Sequence, residues 1–100
     1  SMRYEEEDRD YISFSSKKIT GIKIVSATLV KDCTLCLNIK SELLSGNAKI
    51  VVVIDDSEIL WYDFNQDLNL EFEVTGEHKY FVKILCEKAE LSIETQRSYR

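Results

Sequence analysis

The sequence predicts an all-β fold, an antiparallel β-sandwich of about seven strands, immunoglobulin-like or jelly-roll-like. Three observations predict it. Residues 47–55 read Asn-Ala-Lys-Ile-Val-Val-Val-Ile-Asp, a β-branched run between a Gly46-Asn47 turn signal and Asp55-Asp56-Ser57. A short run of this kind reads as a strand buried on both faces. Residues 33–40 and 68–75 alternate apolar and polar with period two, which gives each a single buried face. Turn-forming residues recur between such runs, and only residues 41–45 could make even one helical turn.

Residues 1–17 read as a polar linker or arm, residues 18–96 as the β-sandwich domain, and residues 97–100 as a polar tail. Within the arm, Glu5-Glu6-Glu7-Asp8-Arg9-Asp10 is a charge run without apolar periodicity, a solvated segment or, alternatively, an acidic docking tail. Tyr11, Ile12 and Phe14 could let its end add a short edge strand. The first firm strand spans 19–29. Ile22 and Ile24 share one parity and Val25, Ala27 and Leu29 the other, so the run predicts a β-bulge or a strand that bends from one sheet to another.

Lys31-Asp32 reads as a turn into the second strand, where Cys33, Leu35, Leu37 and Ile39 face inward. After the central run, Ile59–Phe64 has large residues on both faces: Ile59 and Trp61 on one, Leu60, Tyr62 and Phe64 on the other. Leu68, Leu70, Phe72 and Val74 line the next strand. A Gly76 turn leads to Tyr80, Val82, Ile84 and Cys86, and the last strand sets Ala89, Leu91 and Ile93 inward. A hairpin across Gly76 would place Val74 opposite Tyr80, Phe72 opposite Val82 and Glu71 opposite Lys83. With no proline in the chain, charge must guard the sheet edges, and Lys40, Lys83, Glu71, Glu73, Glu90 and Glu94 stand ready for it.

At 100 residues, 44% hydrophobic and 31% charged, the chain suits one folded domain with its own core. A net charge of −5 argues against nucleic acid, which requires clustered Lys and Arg, and more weakly against anionic membranes. No apolar run reaches the length of a membrane span, so direct insertion is not expected. Ser1-Met2 reads as a scar of tag removal, so the lack of a signal peptide says little about localisation. Three cysteines cannot all pair internally, which fits either a reducing compartment or buried free thiols in a bacterial surface protein.

The chemical candidates read structurally. Cys33-Thr34-Leu35-Cys36 has C-x-x-C spacing, but residues three apart on a strand point to opposite faces, so the thiols diverge. Asp63, Asn65 and Asp67 open a D-x-N-x-D calcium-type loop. Leu68 and Val74 stand where that loop needs Gly and Glu, so turn formation is the preferred reading. His78, the single histidine, sits in the Gly76 turn, and three glycines leave no phosphate cradle. No cofactor is expected. Trp61, Tyr62 and Phe64 could form an aromatic platform, with core packing the simpler explanation. Phe81 and Leu85 fall on the outer parity of their strand. Such a surplus of apolar residues suggests an outer face covered by the arm or by a partner.

Gly76-x-x-x-Tyr80-x-Val82-x-Ile84, a short turn, and Ala89-x-Leu91-x-Ile93 resemble the closing strands of small bacterial secreted or lipoprotein-type β-sandwich domains, such as the pre-peptidase C-terminal-like domains. The resemblance extends over residues 46–94. It departs from the usual form in the three residues between Gly76 and Tyr80, and in lacking a glycine in the last hairpin. It implies a non-catalytic accessory module. The resulting expectation is an interaction or structural domain of a bacterial envelope or secreted protein, binding a protein partner through Phe81, Leu85, Tyr62 and Trp61. The alternative is a carbohydrate-binding module using Trp61 and Tyr62, assisted by calcium at 63–67.

Overall fold

The computed structural model of the chain describes residues 9–100. The acidic run therefore lies mostly outside the described residues. These residues are all-β: β1 (Tyr11–Ile54), β2 (Glu58–Asp63) and β3 (Asp67–Tyr99) form one antiparallel sheet in the order β2-β1-β3. The expected partition into seven short strands is replaced by two very long strands and one short one. Several of the anticipated turns do not reverse the chain. They bend strands that go on pairing.

Two places show how. Lys31 pairs with Glu77 and Cys33 with Val74, so pairing runs straight past both Asp32 and Gly76. Asp32 (φ 48°) and Gly76 (φ 79°) adopt the left-handed region there, and the Gly76 amide donates to the Asp32 carboxylate at 2.7 Å. The second place joins three passes of the chain. Gly21, Gly46 and Lys88 all have positive φ, the register slips around each, and the Lys88 amide donates to Thr20 Oγ1 at 2.9 Å. All three glycines of the chain thus serve bends. A left-handed φ costs most side chains about 1–2 kcal/mol and glycine almost nothing.

This overturns the hairpin expected across Gly76. Val74 pairs with Cys33, Phe72 with Leu35 and Glu71 with Cys36. Tyr80 pairs with Thr28 and Ile54, Val82 with Ser26 and Val52, and Lys83 with Ile24 and Val51. The parity argument identifies inward residues correctly but does not reveal which strand supplies the partner. The bulge expected in the first strand does lie between Ile24 and Ser26. Its sidedness differs from expectation: Ser26, Thr28 and Val30 face inward after it, and Leu29 is exposed. Polar residues hold those inward positions because the buried Arg97 guanidinium donates to Ser26 Oγ (3.1 Å) and to the Ala27 carbonyl (3.0 Å). Thr28 is hydrogen-bonded to the Tyr99 hydroxyl at 3.1 Å. Residues 11–16, read as arm, and 97–99, read as tail, pair within the sheet.

The core follows the apolar alternation. Leu35, Ile39, Ile50, Val52, Ile84 and Ala89 are fully enclosed, with Val82, Leu91 and Ile93 beside them. The central run is buried on both faces from Ile50 to Val53, as its composition predicts. It lies between β2, which pairs with 49–54, and residues 80–85 of β3.

The bends rank by space. A Cβ on Gly46 would clash with the Lys88 carbonyl and lie 2.7 Å from the Ala89 Cα, whereas at Gly76 the nearest atom is the His78 Nε2 at 3.8 Å, an ordinary contact. Gly46→Ala is therefore expected to lower stability by about 3 kcal/mol or more, and Gly76→Ala by only about 1–2 kcal/mol. Urea unfolding of the two variants checks the order.

Candidate functional site

The face opposite the core is built by strand alternation. Ile59, Val53, Phe81 and Ala27 lie side by side across four passes of the chain. Trp61, Val51, Lys83 and Ile24 form the next row, and Asp63, Lys49, Leu85 and Ile22 the one after. Directly paired residues project from the same side of a sheet. Phe81 and Leu85 therefore lie on the outer face, as their parity suggests, and the register places Trp61 on it with them. Tyr62 does not lie there: it is half-buried and packs with Leu60 against the core. The postulated four-residue set thus divides between the two sides of the sheet.

Trp61 is 56% exposed, Ile59 51%, Leu85 40% and Ile22 70%. Ile59 and Ile22 were not among the postulated contact residues. Ile59 shares the parity of Trp61, whereas the place of Ile22 depends on its pairing with Leu85. The Lys79 and Lys83 ammonium groups sit 5.2 and 5.1 Å from the centre of the Phe81 ring, near enough for cation–π attraction. Lys49 is ion-paired with Asp63. At the Leu85 end an open depression of about 420 Å³ is lined by Leu43, Ala48, Lys49, Cys86 and Glu87.

The other sequence candidates do not converge on one ligand. Asp63 faces Lys49, the Asn65 side-chain oxygen accepts from the Leu43 amide (2.7 Å), and Asp67 accepts from Asn38 (3.1 Å). Each polar side chain of the D-x-N-x-D segment thus has an intramolecular donor of its own. No group of three or more His, Cys, Asp and Glu placed to hold a metal occurs among the described residues. All three cysteines are free; Cys33 packs toward the core, and Cys36, three residues on, lies on the other parity. Burial pushes the Cys86 thiol up, against a hydrogen bond to the Gly21 carbonyl.

His78 stays part-exposed to solvent just after Gly76, but both of its ring nitrogens have protein partners. Its Nε2 donates to the Thr75 carbonyl at 2.9 Å, and its Nδ1 meets the Asp55 carboxylate. Asp55 also accepts from the Lys79 amide at 2.7 Å, so the pair ties the β1–β2 turn to the bend after Gly76. A carbonyl can only accept, so both ring nitrogens donate when the ring is charged. The Asp55 hydrogen bond accordingly raises the His78 pKa above its ordinary 6.5, and the same bond lowers that of Asp55 below 3.8.

Comparison of the chain with protein-family models, curated proteins and solved structures returns no match.

The His78–Asp55 link has a defined pH dependence. The raised His78 pKa contributes stability that is fully present below 6.5 and is lost as pH rises through the higher folded value. The lowered Asp55 pKa contributes stability present above 3.8 and lost as pH falls through the lower folded value. The melting temperature is expected to fall slightly between about pH 6 and pH 8, and His78→Gln to flatten that slope. An unchanged slope in the variant would contradict this assignment.

Proposed function

We propose that the chain is a non-catalytic interaction module that binds a protein partner through the outer face carrying Trp61, Phe81 and Leu85. The observation that carries this reading is the contiguous apolar surface, with Ile22, Ile59, Trp61 and Leu85 all substantially exposed on one side of the sheet. Soluble domains leave few large contiguous apolar patches open, and those they leave are commonly contact surfaces. Lys79 and Lys83 add positive charge to a chain of net charge −5, so the fitting partner presents apolar side chains flanked by carboxylates. Cut at their bends, the long strands have the lengths and inward faces of a sandwich of about seven segments. With the resemblance of residues 46–94 to bacterial accessory domains, this supports placement in an envelope or secreted protein. The carbohydrate reading is the weaker one, because Tyr62 is not beside Trp61 on the exposed face.

Trp61→Ala and Leu85→Glu should each change stability by only about 1 kcal/mol, since both side chains lie on the outer face, 56% and 40% exposed. Both should abolish capture of a protein partner from source-cell extract by the tagged chain. Capture indifferent to both substitutions, or elution of polysaccharide alone, would overturn the reading.

A further inference from the structure

We infer that β2 is a self-pairing edge through which two copies of this chain join their sheets. The inference concerns the edge strand and so goes beyond the face-binding reading, although the two surfaces adjoin. Among the described residues β2 is the terminal strand of the sheet and pairs on one side only, with 49–54 of β1. An open edge presents unpaired backbone donors and acceptors to any second strand.

The sheet protects its other edges. Residues 67–74 carry Asn69, Glu71 and Glu73 outward, and Glu71 is further tied to Arg100 at 2.8 Å. The pass through 22–28 is bulged at Ile24/Ser26, and Arg97 occupies the Ala27 carbonyl. The pass through 11–16 ends in a register slip at Ser16/Ile19, beside Lys17 and Lys18. Of the six charges anticipated as guards, Glu71 and Glu73 do lie on an edge, whereas Lys40, Lys83 and Glu94 lie in interior rows with partners on both sides. β2 has none of these devices. It reads Glu-Ile-Leu-Trp-Tyr-Asp, with no lysine, no proline, no bulge in its pairing and charge only at its ends.

Its order of residues suits an antiparallel copy of itself. A twofold axis normal to the sheet keeps each outer face on the same side, so residues of equal parity must oppose each other. Centred on Leu60, the pairing sets Leu60 against Leu60, Ile59 against Trp61 and Glu58 against Tyr62. Aromatic–β-branched pairs are favourable across strands. The two carboxylates of β2 do not meet in this register: Glu58 faces a phenol, and Asp63 lies beyond the paired residues. The joined sheets also make one continuous apolar surface from the two outer faces. The partner is therefore a second copy, bound by main-chain pairing.

The test is sedimentation equilibrium of the purified chain up to about 1 mM, with no other protein present. A reversible monomer–dimer equilibrium is expected. Ile59→Lys, at an exposed position, should weaken it at least about tenfold with the melting transition retained. Leu85→Glu, two strands in from the edge, should leave it intact while removing partner capture, so failure of this inference and of the face-binding reading are told apart. For register, in a background with the native cysteines replaced by serine, a mixture of Ile59→Cys and Trp61→Cys chains should form disulfide-linked heterodimers. Trp61→Cys alone should cross-link poorly. A monomer throughout the range, association indifferent to Ile59→Lys, or efficient Trp61→Cys self-cross-linking would overturn the proposal.

Discussion

The structure depends on bends that neighbouring strands make together. A sheet with one apolar face must bury it, and these long strands bend where the backbone leaves the extended region. At Asp32 and Gly76 two strands bend opposite each other, and the Asp32 carboxylate satisfies the amide that the bend frees. At Gly21, Gly46 and Lys88 three passes of the chain bend as one. Gly46 has the least freedom, because the Lys88 and Ala89 backbone occupies the space a side chain would need. Local conformation and long-range packing are therefore the same constraint at these positions.

The functional reading follows from how the folded sheet distributes its surfaces. Alternation buries Leu35, Ile50, Ile84 and their neighbours on the inner side and leaves Val51, Val53, Phe81 and Leu85 on the outer one. Val51 and Val53 are nonetheless nearly covered, at 7% exposure each, by the larger residues around them. The outer face is thus already a packed apolar layer rather than a scatter of surface side chains. The lysines at Phe81 place positive charge on this face, in a chain whose net charge is −5.

Much of the burial was legible in the sequence. The period-two pattern at 33–40, 68–75 and 80–86 identifies inward residues, and the β-branched run at 50–53 identifies a strand covered on both sides. The pairing was not legible, for a physical reason. Gly76 permits a positive φ whether the chain reverses there or bends and continues, and nothing near it in sequence distinguishes the two. The partner of Val74 is Cys33, far away in the chain, and only the Asp32–Gly76 hydrogen bond marks the bend. The buried role of Arg97 was hidden similarly, because a cation near a chain end reads as solvated unless Ser26 and Ala27 are known to lie beside it. In the outer face, Phe81 and Leu85 could be assigned from parity alone. Parity separated Trp61 from Tyr62 without saying which of them faces outward, and the places of Trp61 and Ile22 emerged only with the register.

The central claim is that strands run through the bends and do not turn back at them. Cross-strand nuclear Overhauser contacts between backbone protons in isotope-labelled protein test it most directly. The account predicts contacts linking Leu35 with Phe72 on one side of the Asp32–Gly76 bend and Val30 with His78 on the other, as one continuous ladder. Contacts linking Phe72 with Val82 and Val74 with Tyr80 would mean a hairpin at Gly76 and would contradict it.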